Sequence, residues 1–513
     1  MTDAIHKFDL TVILPEIFLL IMLIVVLLND CFSTKSAKNK DSNKNSDKDT
    51  DKQSCKCDPM HYLSIFGLLG AALLIIISYG NNSLQTFGNN ALQSFWSNQI
   101  FSARYIDLLK ATSLIIVAVG LIYSRASLIA AGLYKAEFYV LAMLGTLGMM
   151  VLISAASLLT IYLGLELMSL SMYAMVAFNK NSTKSTEAAM KYFVMGSMAS
   201  GILLYGMALL YGATGSIYIS EIVYAIPEIL AQDSMETNKA ILMVAMVFLI
   251  IGIAFKFGAV PYHSWVPDVY EGAVTPVTIY IATAPKLAAI CMAFLLLNIG
   301  MNDLFTSWNK ILIIICVLSF ALGNLVALMQ TNIKRMLAYS AISHAGFILL
   351  GLAANAPEAA AFYGITYALT TLAALGILMS MNKNGLEINE IADLKGLATR
   401  YPWLAFLMLC TMFSLAGVPI LVGFYSKFYI LKSLYAFDNM LPIVMIALIF
   451  SVIGLFYYLR VVKVMYFDEP QNTEVIYATT MANKVFLSVN SIGLIALGLY
   501  PSALLALCQS AFS

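Results

Sequence analysis

Fourteen stretches of mainly apolar residues, most of them about 20 long, govern what this chain can become, because a helix of about 20 such residues spans a hydrocarbon core about 30 Å thick. Inside a bilayer each backbone N–H and C=O needs a partner within the protein, so runs of this length have to be helices. Bounded by charge or by Gly/Pro/Asn clusters, spans are expected near 10–29, 61–80, 105–124, 136–154, 156–178, 187–211, 239–262, 274–299, 311–330, 334–354, 358–381, 402–433, 440–466 and 484–508. The expected fold class is an all-α polytopic membrane protein of about 14 transmembrane helices.

Composition removes the soluble alternatives. Hydrophobic residues make up 61% of the chain and charged ones 11%, with a mean hydropathy of +0.84, against about 25% charged in a soluble domain. The formal net charge of +1 gives no field that would draw nucleic acid. The first apolar run follows Asp3, Lys7 and Asp9 and contains Pro15 and Glu16. Without a basic leader or a small-residue cleavage site it reads as a retained helix rather than a signal peptide. Among seven cysteines, Cys291, Cys316, Cys410 and Cys508 lie in apolar stretches, where a thiol acts as a small hydrophobe. Cys55, Cys57 and His61 match no standard zinc spacing.

Orientation follows from the basic residues, which hold short loops in the cytoplasm. Of 29 Lys and Arg, 17 fall in loops after odd-numbered spans and four on the opposite side. Both termini are therefore expected outside the cytoplasm, and the Lys/Asp/Asn/Ser-rich segment 33–58 within it, as a disordered loop too poor in apolar side chains to order itself.

The remaining eight basic residues fall within spans: Lys110, Lys191, Lys256, Lys286, Lys427, Lys432, Arg460 and Lys463. A charge at the bilayer centre costs at least about 2.5–3.5 kcal/mol and usually faces a polar interior. Glu166, mid-span beside Gly164, is the one acid read as deeply placed; it marks either a pathway or an ion pair with Lys191 or Lys256. Lys256 precedes a Gly258/Pro261 break, Lys427 follows a Gly417/Pro419 break, and Lys286 follows Pro285. Lys191 is open to snorkelling or function, and Lys110, Lys432, Arg460 and Lys463 read mainly as interfacial anchors. His263 and His344 can relay a proton or hydrogen-bond a neighbour. Desolvation favours the neutral form of a buried lysine and a nearby carboxylate favours its charged form, so moving the carboxylate's influence could load and unload a lysine. The two Gly/Pro breaks, 158 residues apart, echo an inverted repeat; such kinks also occur singly in membrane helices, and the echo alone leaves both readings open.

Four segments carry a resemblance to a known family. They are Gly164-Leu165-Glu166-Leu167-Met168-Ser169-Leu170 with Tyr173, the run from Phe255 to Gly272, Gln330 to Ser340 with Ser343-His344, and Ser414 to Pro419 with Gly423-Phe424-Tyr425-Ser426-Lys427-Phe428-Tyr429. Together they closely resemble the subunit N family of the proton-pumping NADH:quinone oxidoreductase, respiratory complex I, over roughly residues 130–470. The Glu166-Leu167-Met168-Ser169-Leu170 segment, and a lysine rather than a glutamate at Lys427, separate it from the related subunits L and M and from multi-subunit sodium/proton antiporters.

The resemblance implies two inverted five-helix repeats with broken helices 7 and 12. Residues 1–130 would hold helices 1–3, 131–300 and 301–470 the repeats, and 471–513 a last helix. It implies a proton relay through Glu166, Lys256, Lys286 and Lys427, with Lys191 and His344 as accessories. Partners would be the other antiporter-like and quinone-module membrane subunits of complex I, with lipids around them and no nucleic acid. The location would be a bacterial inner (plasma) membrane. No iron–sulfur cysteine spacing, Gly-rich nucleotide turn or haem histidine pair is visible in the sequence. NAD, FMN, iron–sulfur clusters and quinone are accordingly expected in partner subunits. The competing readings are a stand-alone cation/proton antiporter and a lipid-modifying enzyme using His263 and Asp268, for which no nucleophile–base–orienter set is evident. The 33–58 insertion and Pro285 depart from the family pattern, the second leaving the helix geometry beside Lys286 open.

Overall fold

The computed structural model describes residues 10–38, 49–80, 93–232, 235–383, 386–437, 440–469, 475–477 and 480–512. Among these, thirteen helices are long and apolar enough to cross a membrane. They begin with α1 (Leu14–Lys38), α2 (Asp49–Gly80), α3 (Arg104–Ala130), α4 (Ala136–Ile153), α5 (Leu158–Val176) and α6 (Thr183–Thr214). A short amphipathic helix, α7 (Ile219–Ala231), lies between spans and buries Ile219, Ile222, Ile226 and Ile229 along one face; at 13 residues it is too short to cross. The spans continue with α8 (Glu236–Phe257), followed by the short α9 (Trp265–Gly272). The next span is interrupted, α10 (Thr275–Ala282) and α11 (Ala284–Ala293) meeting at Thr283, whose backbone (φ −114°, ψ −94°) is not helical. Pro285 lacks the N–H that would continue the α10 ladder, so the interruption falls just before Lys286.

The second half holds α12 (Phe305–Ala327), α13 (Ile333–Ala353), α14 (Pro357–Met379), the pair α15 (Pro402–Ala416) and α16 (Val422–Tyr435), α17 (Leu441–Tyr466), α18 (Met481–Leu499) and α19 (Pro501–Phe512). With α15 and α16 taken as one interrupted span, the total is fourteen. The last span ends earlier than its hydropathy suggests. Pro501 forces Tyr500 out of helical geometry (φ −131°, ψ 64°) and starts a separate helix.

The core lies at the centre of the bundle. Residues of α10–α11, α13 and α14 are about nine-tenths buried, whereas only 28% of the first span, of α17 and of α18 is buried, which places those helices on the outside of the bundle. Without a water-driven force between helices, tight association depends on small residues. A Cβ on Gly148 of α4 would stand 2.5 Å from the Met168 nitrogen, and one on Gly164 of α5 2.6 Å from the Leu152 nitrogen. Those two glycines let α4 and α5 touch backbone to backbone beside Glu166.

On the face where α4, α6 and α13 begin, a strap runs from β1 (Met381–Lys383) through β2 (Leu386–Glu387), and β3 (Val475–Tyr477) completes a small antiparallel sheet of order β2-β1-β3. Glu387 accepts from the Thr275 N–H at 3.0 Å, the Thr275 hydroxyl at 2.8 Å and Lys334 Nζ at 3.0 Å. Lys334 also donates to the Ala273 carbonyl. The strap thus fixes the start of α10 to the start of α13.

Candidate functional site

Helices α8 and α15 end in the same way, in glycines with left-handed backbones: Gly258 at φ 69° and Gly417 at φ 84°. Glycine takes that conformation without the Cβ penalty. The chain then runs irregularly for a few residues before α9 and α16 resume. Lys256 lies just before the first break and Lys427 just after the second, so two of the sequence-predicted cations stand where backbone groups are released from helical pairing.

Each lysine has specific neighbours. Lys256 Nζ donates to Ser169 Oγ on α5 at 2.8 Å. Lys286, 6% exposed, lies 3.3 Å from the Tyr367 hydroxyl, 3.5 Å from the Ala341 carbonyl and 4.5 Å from the centre of the Tyr367 ring. Lys427 Nζ donates at 2.9 Å to the Ala416 carbonyl, freed by the break, and at 2.9 Å to Ser451 Oγ. Lys256 and Lys286 also line one cavity of about 20 Å³ with Met168, Met172, Tyr192 and Trp265, room for about one water molecule.

Between Lys286 and Lys427, α14 presents Tyr363, Thr366, Tyr367 and Thr370, spaced as one helical stripe. His344 Nδ1 is 2.6 Å from the Tyr363 hydroxyl and its Nε2 3.1 Å from the Tyr458 hydroxyl. Thr366 pairs with Ser426 at 2.6 Å and Thr370 with Ser414 at 3.3 Å. These side chains, with His344, line a second, smaller gap. The sequence reading had not singled out these hydroxyls. Their signal was the repeat of Tyr and Thr at i, i+3, i+4 and i+7 in an otherwise apolar span.

Ion pairing divides the buried and half-buried lysines of the bundle into two groups. Lys110 and Lys334, each 3% exposed, are paired with Glu16 and Glu387. Among the described residues Lys256, Lys286 and Lys427 have no carboxylate within ion-pair distance; their partners are hydroxyls and carbonyls.

Several expectations change. Lys110, expected as an interfacial anchor, is buried in α3 and paired with Glu16 of α1. Glu166 makes no ion pair with Lys191 or Lys256 among the described residues, and its Oε1 is buried without a hydrogen-bond partner. Ser169, one turn along α5, takes the Lys256 contact instead. Lys191 stands apart from Lys256, Lys286 and Lys427, held by Glu187 at 2.7 Å and Asp268 at 2.8 Å. Arg335 pairs with the same Asp268 and with Glu271, both at 3.0 Å. With Lys184 these groups line an open cavity of about 170 Å³. Lys463 is exposed beside Asp468, while Arg460 donates to the Leu328 and Gln330 carbonyls. His263 Nδ1 has no hydrogen-bond partner among the described residues. His61 is buried against Tyr139, while the side chains of Cys55 and Cys57 lie outside the described residues.

Helices interrupted beside uncompensated cations, joined by a stripe of hydroxyls across fourteen spans, define an antiporter-like membrane protein. The family described as NADH:quinone oxidoreductase/Mrp antiporter matches residues 155–467. NADH-quinone oxidoreductase subunit N of Nitrosomonas europaea is 44% identical over 511 residues, 98% of each chain, and this chain belongs to the subunit N family. A chain of respiratory complex I from Thermus thermophilus, solved with bound aureothin, superposes with a TM-score of 0.76 at 26% identity over 96% of this chain and 98% of that one. A chain of the Mrp complex from Dietzia sp. shares the fold, with a TM-score of 0.78 at 17% identity, over 98% and 97%.

Proposed function

We propose that this chain is the proton-translocating membrane subunit of an NADH-quinone oxidoreductase in a bacterial inner membrane, moving protons along Glu166, Lys256, Lys286 and Lys427, with His344 as a relay and Lys191 as an accessory. The observation that carries the reading is the pairing of buried cations. An ammonium bonded only to neutral oxygens keeps usable hydrogen bonds after losing a proton, since a neutral amine still donates twice, whereas one paired with a carboxylate loses its main partner interaction on neutralisation. Lys256, Lys286 and Lys427 are of the first kind.

In this reading residues 131–300 and 301–470 are two inverted repeats. The face bearing Lys184, Lys334 and Arg335 is cytoplasmic, and the termini are outside. NAD, FMN, iron–sulfur clusters and quinone belong to partner subunits, whose redox work reaches this chain as a shift in the charge state of Glu166, whose Oε1 lacks any partner to hold it. Lys191, clamped by two carboxylates, supports the entry side without carrying protons along the file.

The test is Glu166→Gln in the assembled complex. It is expected to leave assembly intact and to impair proton pumping coupled to quinone reduction. Normal pumping in a fully assembled Gln variant removes Glu166 from the mechanism. Purification of the chain free of any flavin- and iron–sulfur-containing assembly would favour a stand-alone antiporter.

A further inference from the structure

His344 is bracketed by two phenols, and among the described residues only Tyr458 has a second side-chain partner for its hydroxyl. The imidazole meets Tyr363 through Nδ1 and Tyr458 through Nε2. Tyr458, on α17, is also hydrogen-bonded to Ser340 Oγ, one turn before His344 on α13. All of these side chains are buried. A neutral imidazole carries one N–H, so one phenol must donate to it while the other accepts; an imidazolium donates through both nitrogens, so both phenols must accept. Gaining a proton therefore requires one phenol to turn its O–H away. Tyr458 can turn its O–H onto Ser340, while among the described residues the Tyr363 hydroxyl has no second side-chain acceptor and borders the small gap.

We propose that Tyr458 and Ser340 form a reversible hydrogen-bond partner that lets His344 take up and release a proton between Lys286 and Lys427, making Tyr458 a positioning residue of the relay. The proposal rests on the reading of His344 as a relay group. In the resting state the Tyr458 O–H points to Nε2 and the Nδ1–H to Tyr363, whose own O–H is directed into the small gap that it lines. When a proton reaches Nε2, the Tyr458 O–H rotates to Ser340 Oγ and its oxygen accepts the new Nε2–H. Release of either imidazole proton restores a neutral ring, and no covalent bond other than N–H changes. The ionisable groups around the ring are Lys286 on α11, Lys427 on α16, Tyr363 and Tyr367 on α14, and Tyr457 and Tyr458 on α17. Tyr457 donates to Asn324 Oδ1 at 3.1 Å and also lies within hydrogen-bond reach of Tyr458 and Ser340, and Tyr367 faces Lys286.

The experiment compares Tyr458→Phe, Ser340→Ala and His344→Leu in the fully assembled complex, measuring proton pumping in vesicles across pH. Tyr458→Phe removes the acceptor of the Nε2–H and makes the imidazolium harder to form. The expected result is a fall in pumping of about tenfold near neutral pH with partial recovery at lower pH, so that the profile moves toward acid. Ser340→Ala keeps both rings and is expected to shift the profile the same way by less; it carries the test if Tyr458→Phe does not assemble. Unchanged rate and profile in the assembled Tyr458 variant, or in the Ser340 variant if that one stands alone, beside an inactive His344→Leu overturns the proposal and leaves the relay standing. A fully active His344→Leu overturns the relay itself.

Discussion

Lys256 and Lys286, on either side of the first helix break, line one cavity of about 20 Å³ with no carboxylate between them. Most of the surrounding groups, Met168, Met172, Tyr192 and Trp265, are weak partners for a charge. Two ammonium ions sharing such a space repel each other across little dielectric. Charge on one therefore favours neutrality of the other, the electrical condition for passing a proton along the file rather than storing two.

Lys110 and Glu16 make the opposite kind of site, a buried pair tying α1 to α3. Glu16→Gln should leave Lys110 with Asp107, one turn earlier on α3, as its nearby carboxylate and lower stability by roughly 3 kcal/mol, the low end for a broken buried pair, seen as an earlier thermal transition of the purified complex. Replacing both residues with Met should restore most of the loss. If the double variant is as unstable as Glu16→Gln, the charges themselves are needed and the pair is more than a staple.

Glu387 gives a pH-dependent contribution. Burial raises its carboxyl, but the Lys334 charge and the Thr275 N–H and hydroxyl outweigh that and hold it below the ordinary glutamate range. A carboxylate depressed in the folded state adds stability that is fully present above the unfolded value of about 4.3 and is lost as pH falls through the lower folded value. Thermal stability should decline on acidification below about pH 5. Glu387→Gln should flatten that decline and cost up to about 3 kcal/mol at neutral pH, the low end for a buried pair because its side chain keeps 27% of its surface exposed. An acid limb unchanged in the Gln variant would assign the decline to other groups.

Orientation is open to direct labelling. Lys184 is 76% exposed on the face proposed as cytoplasmic. In a background with Cys31, Cys55 and Cys57 replaced by Ser, Lys184→Cys should resist a membrane-impermeant thiol reagent added to intact cells and react in inverted vesicles. Labelling in intact cells would reverse the topology.

Span number and the interrupted sites were legible because long apolar runs and Gly/Pro pairs follow from bilayer thickness and backbone chemistry. Lys256, Lys286 and Lys427 stood out because ammonium groups are costly in hydrocarbon. Two pairings lie beyond any reading of one helix at a time. Lys110 stands near the start of α3, and only the tertiary structure sets Glu16 of α1 opposite it. Lys191 looked like a possible partner for Glu166, yet it turns toward Asp268 on α9, 77 residues away in sequence. The hydroxyls around His344 were hidden because Ser, Thr and Tyr are ordinary in membrane helices. Their significance is in which helices face each other.

The most direct test of lysine-borne proton transfer is Lys256→Arg beside Lys256→Ala, with assembly, quinone reduction and proton pumping measured together. Both variants change the group that meets Ser169, but only arginine keeps a permanent cation, because it effectively cannot be deprotonated in a protein. If Lys256 must become neutral in each cycle, both variants assemble and both lose most coupled proton translocation, quinone reduction falling with it. An assembled Lys256→Arg complex that pumps at the wild-type rate would contradict the account, reducing Lys256 to a fixed charge at the helix break.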